Sequence, residues 1–256
     1  MSTAQILAEV NSRGIASVTI NRPDKANSYT MGMFNELADH IEKWGADPAV
    51  RVIILRGAGK HFSAGAAIGE PSVVPASGKV RDSFEICQLI DTCPAPTIAL
   101  IQGACVGGGM AIAACCDMTI ASRSAFFSIP EARLGMTSGT LSVYFQRAIG
   151  ANNFRRYAQT GERFSAEDAQ RMGFVQTVCE SDKLDEGLDR VINELMLSGP
   201  NATRAVKATS KLLTDNPLTP TLIDNIQTEF SAAQNSEEAR EGKASFREKR
   251  RPNWYR

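Results

Sequence analysis

Two short segments of small residues, 62–66 (Phe-Ser-Ala-Gly-Ala) and 107–109 (Gly-Gly-Gly), are the parts of this sequence best suited to chemistry. Each follows a predicted strand. Because small residues leave the backbone accessible, a ligand's carbonyl oxygen could approach two N–H groups, which would stabilise negative charge developing on that oxygen. The alternative is purely structural, since such turns also permit close packing of helix on sheet.

Two better-known catalytic motifs do not fit. Segment 103–109 (Gly-Ala-Cys-Val-Gly-Gly-Gly) lacks GxGxxG spacing, and no P-loop Lys-Ser/Thr pair follows it. Segment 61–65 has His61 where a GxSxG nucleophile motif begins with Gly, so we do not expect Ser63 to be a nucleophile. His40 and His61 are the only imidazoles, which leaves little material for a metal site or a Ser-His-Asp triad. Chemistry is therefore expected to depend on carboxylates or on the backbone.

Composition excludes several classes of function. The 256 residues are 43% hydrophobic, enough for a sizeable core, and 28 basic residues balance 28 acidic ones, so no net charge attracts nucleic acid or an anionic membrane. Apolar runs are far shorter than the roughly 20 residues of a membrane span, and residues 1–10 lack a secretion signal. Six cysteines without a CxxC pair fit a reducing compartment, so we expect a cytoplasmic protein.

Strands and helices alternate through the first half of the chain, which indicates a layered α/β core. Alternating or continuous apolar residues predict the strands, and apolar residues at helical spacing predict the helices, with Thr30 as the N-cap of the first. The predicted strands are 15–20, 50–55, 97–101 and 118–121, and the predicted helices are 30–44, 81–91 and 110–115.

The chain beyond residue 198 shows only helical patterns, over 202–213, 219–234 and 236–249. Amphipathic helices need a surface to cover. We therefore predict a core over 1–197 and a C-terminal helical module over 198–256 that packs on the core, on a neighbouring subunit, or on both.

Five segments, in order along nearly the whole chain, resemble the signature segments of the crotonase (enoyl-CoA hydratase/isomerase) family. Each one is weak alone, but the set in this order is specific. The segments are 21–27 (Asn-Arg-Pro-Asp-Lys-Ala-Asn), 62–66, 103–109 with Cys116-Asp117, 127–135 (Phe-Ser-Ile-Pro-Glu-Ala-Arg-Leu-Gly) and 241–250.

This resemblance implies an α/β fold, a crotonase-like spiral of ββα units with a C-terminal helical trimerisation module. It implies a homotrimer or a dimer of trimers that acts on an acyl-CoA thioester. Coenzyme A would then arrive as part of the substrate, with no permanently bound cofactor, no metal and no nucleic acid or membrane partner.

The resemblance also assigns roles to residues. The amides of Ala66 and Gly108 would form the oxyanion hole, with Gly108 at the start of a helix. Other positions match contacts of the family with the nucleotide part of coenzyme A, the last two reaching it from a neighbouring subunit. These positions are Lys25, Ala64, Ala66, Ile68, Phe246 and Lys249. For Lys25 and Lys249 the alternative is an ordinary solvated surface charge.

Glu131 is the expected acid/base, because the family places a substrate-facing Glu in this Pro-Glu-x-x-Leu-Gly segment. An apolar surrounding would disfavour its charged form, whereas the alternative is a Glu that merely caps the turn after Pro130. Hydratases of the family carry a second Glu where this sequence has Ala111. A lone Glu resembles the enoyl-CoA isomerases, in which one carboxylate moves a proton from C2 to C4.

Two alternatives stay open at this stage. One is a hydratase or another lyase of the same family that uses an unrecognised second group, and the other is a non-catalytic acyl-CoA-binding protein. Two further departures from the family pattern are Ala67, where Asp often follows, and Ser138, in the region where the dehalogenase branch has a nucleophilic Asp. The second departure disfavours dehalogenation.

Overall fold

A six-stranded sheet lies at the centre of the computed structural model, which describes residues 4–71, 74 and 77–255. Its strand order is β1-β2-β3-β4-β6-β9, and a smaller sheet has the order β5-β7-β8. β1 runs antiparallel to β2, whereas the other neighbours in the large sheet are parallel. The strands are β1 (Ile6–Val10), β2 (Ile15–Ile20), β3 (Val52–Gly57), β4 (Thr97–Ile101), β5 (Ala104–Val106), β6 (Met118–Ser122), β7 (Phe126–Ser128), β8 (Phe164–Ser165) and β9 (Thr177–Cys179).

The six predicted helices are all present, with ends that differ by at most two residues, whereas the four helices between residues 142 and 197 were not predicted. The Thr30 side chain accepts a hydrogen bond from the Met33 amide, as an N-cap should. In the described part of the chain, no helix has the length and apolar content needed to cross a membrane. The helices are α1 (Met31–Ala46), α2 (Ser83–Asp91), α3 (Gly108–Ala114), α4 (Ser142–Ile149), α5 (Ala151–Thr160), α6 (Ala166–Arg171), α7 (Leu184–Leu197), α8 (Pro200–Asp215), α9 (Pro220–Gln234) and α10 (Glu237–Arg247).

The central sheet is buried on both faces, which explains the continuous apolar run in β3. Ile53 and Leu55 point into the larger core, which includes residues of α1, α2 and α3. Val52 and Ile54 point into a second core on the opposite face, where α7 supplies Leu188, Ile192 and Met196. A strand covered on both sides needs apolar residues at successive positions rather than alternating ones.

The C-terminal helices contact the core of their own chain through polar bonds. The Lys207 ammonium lies 2.8 Å from the Asp117 carboxylate, and Arg204 donates to the carbonyls of Gly45 and Val50. Apolar side chains nevertheless remain exposed on α8, α9 and the segment between them, namely Val206, Leu213, Leu218, Ile223 and Phe230. The boundary at 197/198 and the trimeric assembly stay predictions, and residues 1–3, 72, 73, 75, 76 and 256 of the two predicted segments lie outside the described residues.

Asp117 joins the C-terminal helices to the central sheet, so its replacement should destabilise the fold. Its carboxylate accepts from the Thr97 amide at 2.7 Å, from the Thr97 hydroxyl at 2.9 Å and from Lys207. Asp117→Ala should lower the free energy of unfolding by about 1–3 kcal/mol, because it leaves partly buried donors without an acceptor. Urea unfolding measures this, with Asp185→Ala as the control, since that carboxylate is 76% exposed in its ion pair. Equal loss in both variants would contradict the structural role of Asp117.

Candidate active site

The site forms where three neighbouring parallel strands end at one edge of the sheet. The last residue of β2, Ile20, pairs with the last residue of β3, Gly57, and Arg56 pairs with Leu100 near the end of β4. The segments that follow these strands therefore emerge side by side. In parallel sheets this carboxyl edge is the usual place for a ligand.

Segment 21–27 braces the first small-residue turn. Asn27 is fully buried; its side chain accepts from the Arg22 amide at 2.8 Å and donates to the His61 carbonyl at 2.6 Å. The Ala64 amide donates to the Ala26 carbonyl at 2.9 Å. The motif that carried part of the family resemblance thus fixes the path of the loop, whereas its Lys25 side chain points to solvent.

The second small-residue turn packs directly on the first. Ser63 donates its amide to the Ala104 carbonyl at 2.9 Å, and its own carbonyl accepts from Val106 at 3.0 Å. A Cβ on Gly65 would lie 3.1 Å from the Val106 carbonyl oxygen, and one on Gly109 would lie 2.7 Å from the Ser63 Cβ. Small residues allow the two turns to pack closely, and the same lack of side chains leaves backbone groups open to a ligand. The structural and the chemical explanations of these turns are therefore compatible.

Two backbone amides in these turns have no acceptor. Tyr29 pairs with the residues on either side of Ala66, donating to the Gly65 carbonyl and accepting from the Ala67 amide, so the Ala66 N–H is left unpaired. Gly108 is the first residue of α3, where no intrahelical acceptor exists. Across residues 4–71, 74 and 77–255, neither amide donates a hydrogen bond.

Glu131 lies beside the second turn. It begins a 3-10 turn after Pro130, and its Oε1 lies 3.0 Å from the position that a Cβ on Gly107 would occupy. Its Oε2 is buried and has no hydrogen-bond partner within the described ranges. The carboxyl also has a hydrogen bond to the backbone of Glu131 itself, at the start of this turn. Burial raises the pKa of this carboxyl above its ordinary value, as expected for a group that exchanges protons.

Two further residues bear on the chemistry of the site, Ala111 and Tyr29. Ala111 is fully buried on α3, and its methyl group offers no polar atom. The Tyr29 ring is buried, and its hydroxyl occupies the space that a Cβ on Gly108 would fill. Sequence analysis missed Tyr29, because a single tyrosine after segment 21–27 carries no pattern of its own.

The predicted coenzyme A contacts fall into two groups. Lys25, Ala64 and Ile68 are exposed on the first loop and the segment that braces it, with Ile68 73% exposed. Phe246 is 85% exposed and Lys249 is also exposed, at and just beyond the end of α10. Among the described residues, no hydrogen bond, ion pair or ring contact joins these last two side chains to either turn. One chain therefore does not bring the tail positions to the site, and all six roles, that of Ala66 included, stay predictions.

Known proteins that resemble this chain identify its family. Residues 10–256 match the model of the enoyl-CoA hydratase/isomerase family. YngF of Bacillus subtilis (strain 168), whose name assigns it to the same family, is 31% identical over 96% of both chains. The structure of Pseudomonas aeruginosa AtuE superposes with a TM-score of 0.90 at 30% identity, covering 99% of this chain and 100% of that one. An enoyl-CoA hydratase/isomerase from Marinobacter aquaeolei gives 0.89 at 29% identity, covering 98% and 99%. The fold class predicted from the sequence is thus confirmed, and the chain belongs to the enoyl-CoA hydratase/isomerase family.

Proposed function

We propose that this protein isomerises the double bond of an unsaturated acyl-CoA, converting a 3-enoyl thioester into the conjugated 2-enoyl thioester. The observation that carries the proposal is the combination of Glu131, one of whose carboxylate oxygens is buried without a partner in the described residues, with the two unpaired amides of Ala66 and Gly108. Ala111 supports it, because a methyl group stands where a hydratase of the family has its second carboxylate.

Each part of the reaction has a group to perform it. The Glu131 carboxylate removes a proton from C2, the electron pair of that C–H bond forms a C1–C2 double bond, and the carbonyl π electrons move to the thioester oxygen. The oxygen of this dienolate carries negative charge, and the amides of Ala66 and Gly108 stabilise it. Glu131 then returns the proton to C4: the carbonyl re-forms, the C1–C2 π electrons shift to C2–C3, and the C3–C4 π electrons form the new C4–H bond. Because both carbons lie on one face of a planar dienolate, one base suffices and no water, oxidant or reductant is consumed.

Hydration needs a second group to hold and activate water. A lone carboxylate can transfer a proton, but it cannot also orient the attacking water. The competing hydratase function would thus require another polar group at Ala111, and that side chain has none. A non-catalytic acyl-CoA carrier would have no use for a buried carboxyl oxygen without a partner, since such a group costs stability.

Two incubations test the proposal. A 3-enoyl-CoA and a 2-enoyl-CoA of the same chain length are supplied separately in water enriched in oxygen-18. We expect conjugated thioester absorbance to appear from the first substrate, and oxygen-18 hydroxyacyl product from the second to form far more slowly. Hydration of the 2-enoyl substrate as fast as isomerisation, or tight coenzyme A binding with no turnover of any thioester, would overturn the proposal.

The acid limb of the pH profile should report the ionisation of Glu131. The base must be unprotonated to accept the C2 proton, so kcat/KM should fall as the pH drops through the pKa of Glu131 in the free enzyme. Because burial raises that pKa, the limb should lie above the ordinary value of about 4.3. Steady-state kinetics between pH 4 and pH 9 measure it. A limb at or below the ordinary glutamate value would contradict the proposed environment.

A further inference from the structure

Tyr29 contacts the first turn beside the Ala66 amide and the second turn at Gly108. Its backbone amide donates to the Gly65 carbonyl at 2.9 Å and its carbonyl accepts from Ala67 at 2.8 Å, so it holds the turn on both sides of Ala66. Its side chain reaches across to the second turn, where the hydroxyl abuts Gly108. The same residue therefore sets the spacing between the two donors.

The Tyr29 hydroxyl makes no hydrogen bond within the described residues, although its oxygen is not among their fully buried unpartnered polar atoms. The residue is 5% exposed, yet no hydrogen-bond partner for the hydroxyl is found in the part of the chain that the structure describes. A buried tyrosine hydroxyl normally has a partner. Packing alone does not explain this oxygen, because phenylalanine would fill the ring site equally well. The hydroxyl is therefore free to donate a hydrogen bond to a bound molecule.

The ring is held rigidly, which suits a role in catalysis. It stacks on Phe34 with ring centroids 3.3 Å apart and an interplanar angle of 8°. Burial, reinforced by the nearby Cys87 and Glu131, raises the pKa of the phenol, so the hydroxyl stays protonated and acts as a donor rather than as a base. A fixed, protonated donor next to a developing oxyanion needs no reorganisation during the reaction.

We propose that the Tyr29 hydroxyl donates a third hydrogen bond to the thioester oxygen, beside the amides of Ala66 and Gly108. This inference rests on the proposed function, which places that oxygen between the two amides. It makes Tyr29 a catalytic residue for enolate stabilisation. It also explains the absence of a side chain at position 108, since a Cβ there would displace the hydroxyl.

The test measures polarisation of the bound carbonyl, which a merely structural role for the hydroxyl would not change. A 2,4-dienoyl-CoA is bound to Glu131→Gln and to Glu131→Gln/Tyr29→Phe, and difference infrared spectra record the thioester carbonyl stretch. We expect the frequency to fall on binding to the first protein and to fall clearly less on binding to the second. With Glu131 intact, Tyr29→Phe should lower kcat about 10²-fold with little change in KM, as for the loss of one oxyanion donor.

Two further variants make the outcome decisive. Tyr255→Phe removes a hydroxyl from a ring packed on the second core, on the far face of the sheet, and should change neither kcat nor the carbonyl frequency. Should Tyr29→Phe fail to fold, 3-fluorotyrosine at position 29 keeps ring and hydroxyl but is a stronger donor, and it should lower the carbonyl frequency further. An unchanged frequency with either position-29 variant overturns the role of Tyr29. Full turnover by Glu131→Gln would instead refute the proposed base, and the carbonyl shift would still test Tyr29.

Discussion

Replacing Glu131 by Gln should lower kcat for isomerisation by about 10²–10⁴-fold, the usual contribution of one acid/base group. Gln keeps the size of the side chain but cannot accept the C2 proton. KM should change little, because the carboxylate contacts the reacting carbons rather than the nucleotide. Absorbance of the conjugated thioester gives the rate, and Glu186→Gln, an exposed carboxylate in the first turn of α7, serves as the control. Unchanged turnover by Glu131→Gln would remove this residue from the mechanism.

The same substitution should leave the protein at least as stable as the wild type at neutral pH. The pKa of Glu131 is raised in the folded state, so its contribution to stability is fully present below the unfolded pKa and is lost as pH rises through the folded one. Above that pH the wild type holds a buried charge that Gln lacks. A catalytic loss with no loss of stability would separate the chemical role of Glu131 from a structural one.

Gly108→Ala should lower kcat by about 10²–10³-fold, the effect expected when an oxyanion donor is lost. The new Cβ would overlap the Tyr29 hydroxyl, so either the ring or the start of α3 must move. Both movements displace a donor from the thioester oxygen. Steady-state kinetics measure the loss, and a thermal melt shows whether the fold survives.

Gly242→Ala provides the matched control for this substitution. Gly242 also lies in a helix, α10, but a Cβ there would meet the Trp254 ring at 3.4 Å, an ordinary van der Waals distance. It should leave kcat unchanged. Equal activity of Gly108→Ala and wild type would show that the position tolerates a side chain and that the tight fit around Gly108 does not matter for catalysis.

Part of the fold could be predicted from sequence where an element carries its own pattern, although α7 and β1 were missed. β2 and β4 were predicted with their observed bounds because their burial is periodic or complete along the strand. β5, β7 and β8 contain two or three residues each and depend on partners far along the chain, such as the pairing of Cys105 with Ser63. No local pattern can reveal such strands, because their stability comes from the neighbours rather than from their own residues.

The residues of the candidate site also divide into those that a sequence pattern reveals and those that it does not. Both small-residue turns and Glu131 stand out in the sequence, and the structure places them at one edge of the sheet. Tyr29 could not be found, because its part depends on Gly108, 79 positions later in the chain. The tail positions Phe246 and Lys249 make no hydrogen bond, ion pair or ring contact with the site among the described residues, so their predicted role depends on an assembly that a single sequence does not describe.

A structure with a bound, non-reacting acyl-CoA analogue tests the central claim most directly. We expect the thioester oxygen to lie about 2.7–3.1 Å from the amide nitrogens of both Ala66 and Gly108, with the Glu131 carboxyl within reach of C2 and C4. A thioester oxygen bound elsewhere, or a Glu131 carboxyl turned away from both carbons, would contradict the account.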